Sequence, residues 1–178
     1  MRLILVRHPQ PLVAQGTCYG RTDLDIAPEQ LEQTLAALHL PAGLTLYSSP
    51  LRRCAQLAAR LHATPILDER LVEIDFGTWE MQPWDAIPRA DIDAWAADMA
   101  NYQPGGGESV LQMAERIAAF HADLQRQQIE AAIIICHAGA MRLLYACHEG
   151  LAPMEMALKA AQHAHQIPYG GMSILPAR

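Results

Sequence analysis

The sequence predicts an α/β fold, a three-layer sandwich with a mostly parallel central sheet flanked by helices. Two short apolar runs, residues 3–6 and 133–136, are typical of strands that are buried on both faces. Segments with apolar residues at helical spacing separate the strand-like segments, and this alternation is typical of α/β proteins. A length of 178 residues without an internal repeat or linker predicts one domain over residues 1–178.

The first half of the chain predicts three strands and two helices. Residues 3–6 form the first strand, and Pro28 suits the first position of a helix. Residues 44–47 form a second strand. Ser49-Pro50 predicts a helix start, with the serine as cap and the proline at the first helical position. Residues 65–67 predict a short edge strand.

The second half of the chain predicts a small insertion and then further alternation. Residues 75–107 contain several prolines and aromatic residues, so we expect short helices that form a cap over the site. Residues 108–126 predict the longest helix and residues 131–136 a strand. A helix over 139–147 and a last strand over 172–175 complete the prediction.

Composition limits the classes of partner and the compartment. A net charge of −6 argues against binding to nucleic acid or to an anionic membrane. No apolar run reaches the roughly 20 residues of a membrane helix, and Met1-Arg2 leads directly into a strand without a secretory signal. We therefore expect a cytoplasmic protein. Its four cysteines lack CxxC spacing and are expected to be free and buried.

Two histidines each follow a predicted strand directly. His8 comes after residues 3–6, and His137 comes after residues 131–136. Because ligands of open α/β sheets bind beyond the carboxyl ends of the strands, we expect both histidines in one active site. A neutral imidazole is a competent nucleophile, and a second imidazole can donate hydrogen bonds to a phosphoryl group. A purely structural role for either histidine is the alternative.

Arginines adjoin these positions. Arg7 precedes His8, and its planar fork of donors suits phosphate oxygens. Arg52 and Arg53 both fall in the first turn of the predicted helix, where a bound phosphate would be favoured by the helix terminus and by an arginine. Helical spacing does not choose between these two, and solvated arginines are the alternative.

A carboxyl group suited to acid catalysis is expected at Glu73. This residue lies between Val72 and Ile74, and a semi-buried carboxyl is expected to have a raised pKa and to protonate a leaving alkoxide. Asp75 and Glu80 are competing candidates. The alternative is that Glu73 points to solvent from a half-buried strand.

The remaining motifs favour neither a metal nor a cofactor. His163-Ala164-His165 could suggest a metal, but no third ligand is evident nearby, and no metal site is predicted. The chain has no GxxxxGK[ST] loop and no GxSxG elbow. Four further histidines are expected at the surface because they fall within helices or at helix ends: His39, His62, His121 and His148.

Taken in order, these segments resemble the histidine phosphatase superfamily, also called phosphoglycerate mutase-like. The resemblance covers nearly the whole chain, and its ordered set of motifs is highly specific although each is weak alone. The matching segments are 6–8, 20–24, 48–53, Glu73 with 76–80, 106–109 and 137–139 with Arg142.

The resemblance implies a role for each candidate residue. His8 is the nucleophile that becomes phosphohistidine, and Glu73 protonates the leaving oxygen and later activates water. Arg7, Arg53 and His137 complete the phosphate pocket, because the serine-x-leucine-x-arginine pattern beginning at Ser49 selects Arg53. The expected activity is metal-independent hydrolysis of a small phosphorylated metabolite.

Within the superfamily, the short length and segments 18–23 and 76–81 look like the alpha-ribazole phosphatases of cobalamin biosynthesis. By this resemblance Arg21 is a further substrate-binding candidate. A broad-specificity phosphatase, a phosphoglycerate mutase and an inactive phospho-ligand binder are the alternatives. Three residues depart from the superfamily pattern, and Pro9 among them removes a backbone N–H: Pro9, Ala14 and Ala138.

Overall fold

The computed structural model describes residues 1–162 and 166–177. A five-stranded sheet with strand order β3-β2-β4-β1-β5 forms its centre. Four strands are parallel, and only β5 runs antiparallel, beside β1. This arrangement confirms the predicted mostly parallel sheet. The strands are β1 (Arg2–Arg7), β2 (Thr45–Ser48), β3 (Ile66–Leu67), β4 (Ala131–Cys136) and β5 (Met172–Leu175).

Helices cover both faces of the sheet and make three layers. Alternate residues of β1 supply two separate cores: Ile4 and Val6 pack with α1 and α2, while Leu3 and Leu5 face the core that contains α4, α5 and α6. The helices are α1 (Pro28–Ala37), α2 (Arg52–Leu61), α3 (Arg89–Ala97), α4 (Val110–Arg126), α5 (Ala138–His148) and α6 (Pro153–Gln162). Short 3-10 helices lie at Glu69–Leu71, Gly77–Trp79, Trp84–Ala86 and Pro104–Gly106.

The start of α2 differs from the prediction. The helix begins at Arg52 and not at Pro50. Its N-cap residue, Leu51, makes no capping hydrogen bond with its side chain. The Asp23 carboxylate instead accepts the Arg52 N–H at 2.6 Å. The predicted cap, Ser49, has its hydroxyl 2.8 Å from the ring of His137, so this side chain belongs to the strand-end cluster described below.

Helix α6 was absent from the predicted elements. Its buried and half-buried positions do repeat at the three-to-four residue spacing of an amphipathic helix, so the segment carries a local helix signal: Pro153, Met156, Ala157, Ala160 and Ala161. The apolar face formed by these residues packs against α4 and α5.

The prediction that all four remaining histidines lie at the surface is wrong for His121 and His148. Both are buried, and Nε2 of His121 lies 3.3 Å from Nδ1 of His148. His148 also donates from Nε2 to the Pro176 carbonyl at 2.8 Å. Each ring thus satisfies polar atoms that burial would otherwise leave unpaired. His39 is exposed, whereas His62 is half-buried.

All four cysteines are free, as predicted, and three of them are buried. The His163-Ala164-His165 segment lies outside the described residues. Across residues 1–162 and 166–177, every helix is too short or too polar to cross a bilayer.

Candidate active site

The two strand-end histidines meet at one edge of the sheet. Strands β1 and β4 are adjacent and parallel, and Arg7 pairs with Cys136 in their register. The ladder continues past the last pair, because the His8 N–H donates to the Cys136 carbonyl at 3.0 Å. The imidazole centroids of His8 and His137 lie 5.0 Å apart. Residues from opposite ends of the chain therefore share one site.

His8 is buried and is held as a neutral imidazole. Its Nδ1 lies 2.7 Å from the Pro9 carbonyl, so Nδ1 carries the proton and donates it. Nε2 therefore keeps a free lone pair. Burial, and then the positive charges of Arg53 and Arg7, place the pKa of His8 well below its usual value.

Arg53 fixes the orientation of His137. The Arg53 side chain is fully buried, and its Nε–H donates to Nδ1 of His137 at 3.2 Å. The proton of His137 is therefore on Nε2, which lies 2.8 Å from the Ser49 hydroxyl. Burial and the charge of Arg53 hold the pKa of His137 well below its usual value. His137 is thus a neutral hydrogen-bond donor.

Arg7 is buried beside the same pocket and has a buried nitrogen without a partner in the described part of the chain. Its Nη1 donates to the Ile167 carbonyl at 2.5 Å, and its guanidinium lies 3.9 Å from the centroid of the Tyr169 ring. Nε of Arg7 is buried and has no hydrogen-bond partner among the described residues. An unpaired buried donor costs about 1–3 kcal/mol, and an oxyanion bound beside Arg7 would relieve this cost.

The Glu73 carboxylate lies at the start of helix α5. Oε2 accepts the Gly139 N–H at 2.9 Å, and Oε1 accepts the Ile74 N–H at 3.2 Å. The glycine makes room for this approach, because a Cβ on residue 139 would lie 2.3 Å from Oε1 and the carboxylate would have to shift. Glu73 lines the cavity, whereas its two competitors Asp75 and Glu80 are bonded to loop backbone and do not line it.

A cavity of about 390 Å³ with an aromatic wall adjoins these groups, although His137 is fully buried and does not itself line it. Trp84 and Trp95 are parallel with centroids 6.1 Å apart, and Phe76 meets both edge-on at 5.6 and 5.9 Å. All three rings belong to the 75–107 segment and line the cavity together with Arg7, His8, Arg53 and Glu73.

The arginine candidates Arg53, Arg52 and Arg21 lie in different environments. Arg53 lines the cavity, while Arg52 is exposed and pairs with Asp23 and Asp25. The side chain of Arg21 is exposed and is not brought to the cavity, and its backbone N–H donates to Glu80 at 2.9 Å.

Tyr19, Tyr169 and Arg142 line the cavity and were not among the predicted site residues. The hydroxyls of Tyr19 and Tyr169 lie 2.7 Å apart, although 150 residues separate them in sequence. Arg142, one turn into α5, also lines the cavity. The motif segment 18–23 and the match at Arg142 could have indicated two of these residues, but no sequence signal indicates Tyr169.

Fold and site together define a class: an α/β phosphoryl-transfer protein built on two buried histidines and two buried arginines. The chain belongs to the histidine phosphatase superfamily (branch 1), whose family model matches residues 3–167. It is a phosphoric monoester hydrolase of this superfamily, in line with the phosphatases among its relatives.

Relatives with different substrates are similar to this chain. The glucosyl-3-phosphoglycerate phosphatase of Mycolicibacterium vanbaalenii is 31% identical over 170 residues, which cover 84% of this chain and 75% of that protein. The alpha-ribazole phosphatase of Shigella flexneri superposes with a TM-score of 0.80 at 26% identity, covering 100% of this chain and 91% of that one. A phosphoglycerate mutase of Thermus thermophilus superposes with a TM-score of 0.75 at 27% identity, covering 98% of this chain and 92% of that one.

Proposed function

We propose that this protein hydrolyses a small phosphomonoester without a metal, through a phosphohistidine on His8, and that its substrate is alpha-ribazole 5′-phosphate. The observation that carries the mechanism is the neutral, buried His8, whose Nε2 is unprotonated and whose pKa the charges of Arg53 and Arg7 help to lower. A lone pair next to two cations is suited to attack a phosphorus atom that carries anionic oxygens.

In the first step Nε2 of His8 attacks phosphorus, and the bond from phosphorus to the ester oxygen breaks. Glu73 gives a proton to the leaving alkoxide. Arg7 and Arg53 stabilise the negative charge on the phosphoryl oxygens, and His137 joins them when its Nε2–H exchanges the Ser49 hydroxyl for a phosphoryl oxygen.

In the second step water attacks phosphorus and the bond to Nε2 breaks. The Glu73 carboxylate accepts a proton from that water, so Glu73 is protonated again and His8 is neutral again. Inorganic phosphate leaves, and each group has returned to its starting state.

The arginines supply the charge that a metal would otherwise provide. Among the described residues, no three His, Cys, Asp or Glu side chains are grouped to hold an ion. We therefore expect full activity in excess EDTA. A loss that Mg²⁺ or Zn²⁺ restores would contradict the metal-independent reaction.

Two observations support an aromatic substrate. The wall formed by Phe76, Trp84 and Trp95 offers ring faces and edges to a planar leaving group such as a ribosylated benzimidazole. The Shigella structure is named an alpha-ribazole phosphatase. The proposal places the protein in the cytoplasm with a small phosphorylated metabolite as its partner.

The test is a phosphate-release screen in EDTA with alpha-ribazole 5′-phosphate, phosphoserine and 3-phosphoglycerate. We expect the highest kcat/KM for alpha-ribazole 5′-phosphate, and Trp84→Ala should raise KM for this substrate but not for phosphoserine. Faster release from phosphoserine would overturn the substrate and favour a broader phosphatase. Isomerisation of phosphoglycerate without phosphate release would favour a mutase, and binding without turnover an inactive binder.

A further inference from the structure

Glu80 lies outside the cavity but gathers an unusual set of hydrogen bonds. Its carboxylate accepts the backbone N–H groups of Gly20, Arg21 and Thr22 at 2.9–3.2 Å. It also accepts the Thr22 hydroxyl at 2.5 Å and the Phe76 N–H at 3.0 Å. A single carboxylate thus fixes the turn over residues 20–22 and connects it by a hydrogen bond to Phe76, at the start of the Gly77–Trp79 3-10 helix.

Burial raises the pKa of Glu80, but the hydrogen bonds from Thr22 and the backbone outweigh this effect, and the pKa lies below its usual range. Glu80 is therefore ionised at neutral pH. Each hydrogen bond described above reaches its carboxylate from a donor, as expected for an ionised carboxylate.

The opposite side of the same turn faces Arg53. The carbonyls of Gly20 and Thr22 accept hydrogen bonds from Nη2 and Nη1 of Arg53, the second at 2.7 Å. The Gly20 carbonyl and the Arg21 N–H belong to one peptide group. That peptide therefore lies between the Glu80 carboxylate and the Arg53 guanidinium, and both charges polarise it in the same direction.

The turn cannot easily move to another position. A Cβ on residue 20 would lie 1.9 Å from the Ile74 carbonyl, so the backbone of Gly20 is packed directly against the chain that carries Glu73. Arg53 in turn donates from Nε to His137. A continuous path of hydrogen bonds runs from Glu80 to the ring of His137.

We propose that Glu80 is a positioning residue that sets the Arg53 guanidinium through the Gly20–Arg21 peptide and, through Arg53, the protonated nitrogen of His137. The proposal rests on the proposed function, because it assigns Arg53 and His137 to the phosphoryl group. Without Glu80 the carbonyls of the turn are no longer aimed at Arg53, and the Nε–H bond to His137 weakens.

The first test compares Glu80→Gln with Asp68→Asn. Glutamine keeps the shape but places an NH₂ group against N–H donors. Asp68 is a matched control, a half-buried carboxylate that accepts several hydrogen bonds from Arg70 away from the cavity. We expect Glu80→Gln to lower kcat for p-nitrophenyl phosphate by about 10–100-fold, because small misplacement of catalytic groups has effects of this size. The control should stay within about twofold of the parent.

A double-mutant cycle tests whether Glu80 acts through Arg53. In an Arg53→Lys background the fork that contacts the turn is gone, so Glu80→Gln should change kcat by less than about twofold. Additive losses in the double variant would show that Glu80 acts by another route and would overturn the proposal.

¹⁵N NMR of the histidine rings in the substrate-free protein supplies a readout separate from turnover. In the parent, the His137 proton is expected on Nε2, and Glu80→Gln should increase the form protonated on Nδ1. An unchanged His137 spectrum overturns the proposal even if activity falls. A changed spectrum supports it even if the phosphatase assignment fails.

Thr22→Val provides a milder variant in case Glu80→Gln unfolds. It removes only the hydroxyl that donates to Glu80. We expect the same change in the His137 spectrum at smaller amplitude, and an unaltered spectrum in a folded Thr22→Val protein counts against the proposal.

Discussion

At the residue scale, the site depends on imidazoles that stay neutral next to guanidinium groups. His8 donates from Nδ1 to Pro9, and His137 accepts at Nδ1 from Arg53, so the two rings carry their protons on different nitrogens. One ring therefore presents a lone pair and the other an N–H. This difference suits a nucleophile and a hydrogen-bond donor around one phosphoryl group.

Glu73 gives the first prediction at this scale. Glu73→Gln removes the proton that the leaving alkoxide needs, so kcat for an alkyl phosphate should fall about 10²–10⁴-fold. Hydrolysis of p-nitrophenyl phosphate should slow far less, because p-nitrophenolate leaves without protonation. Steady-state kinetics on both esters is the measurement, and equal losses would remove Glu73 from the role of acid.

The sequence predicted which residues lie at the site better than it predicted which groups those residues contact. The strand-end positions of His8 and His137 follow from apolar runs that can be read directly. The choice of Arg53 over Arg52 did not follow from helical spacing, since burial against the 20–22 turn decides it. The bond of Ser49 to His137 was also hidden, because the same serine before a proline is a good helix cap.

At the element scale, the start of helix α5 positions the acid. The Gly139 N–H holds Glu73, and the missing side chain at residue 139 makes room for the carboxylate. A helix N-terminus also favours a carboxylate electrostatically. The acid is thus placed by the same strand-to-helix junction that carries His137.

Gly139→Ala tests this placement. The added Cβ would push the Glu73 carboxylate away, so kcat for alkyl phosphates should fall about tenfold or more. Urea unfolding should show little loss of stability, because alanine in a helix is about 1 kcal/mol more favourable than glycine. As a control, the same substitution in a Glu73→Gln background should have little further effect on kcat, and a second large loss there would argue for a different cause.

Sequence patterns predicted the strands well and the irregular elements poorly. Runs of apolar residues in β1 and β4 are buried on both faces, and this burial leaves a clear signature. The start of α2 depends on Asp23, a neighbour from another part of the chain, and such a contact leaves no local signal. Helix α6 does leave a local signal, because its buried positions repeat at helical spacing, so this helix could have been predicted.

At the scale of the whole molecule, folding buries histidine rings and lowers their pKa values. This holds for His8, His121 and His137, whereas the unfolded value is about 6.5. Below this pH the unfolded chain binds protons that the folded protein does not bind. The free energy of unfolding should therefore decrease as the pH falls from 6.5, by up to about 1.4 kcal/mol per pH unit for each histidine.

Urea unfolding at pH 7.5 and at lower pH measures this dependence. His8→Gln removes one of the rings whose pKa is lowered, so the stability of this variant should depend less steeply on pH. His39→Gln is the matched control, because His39 is exposed and lies far along the chain from the strand ends. A slope that is identical in the parent and in His8→Gln would contradict the buried neutral state of His8.

The most direct test of the central claim is the detection of phosphate on His8 during turnover. Glu73→Gln protein, whose dephosphorylation should be slow, is mixed with p-nitrophenyl phosphate, quenched in alkali and digested for mass spectrometry. We predict an acid-labile, alkali-stable phosphoryl group on the peptide that contains His8, and complete loss of turnover in His8→Ala. Phosphate on another residue would contradict the account. So would His8→Ala activity within about tenfold of the parent, because removal of a nucleophile should cause a far larger loss.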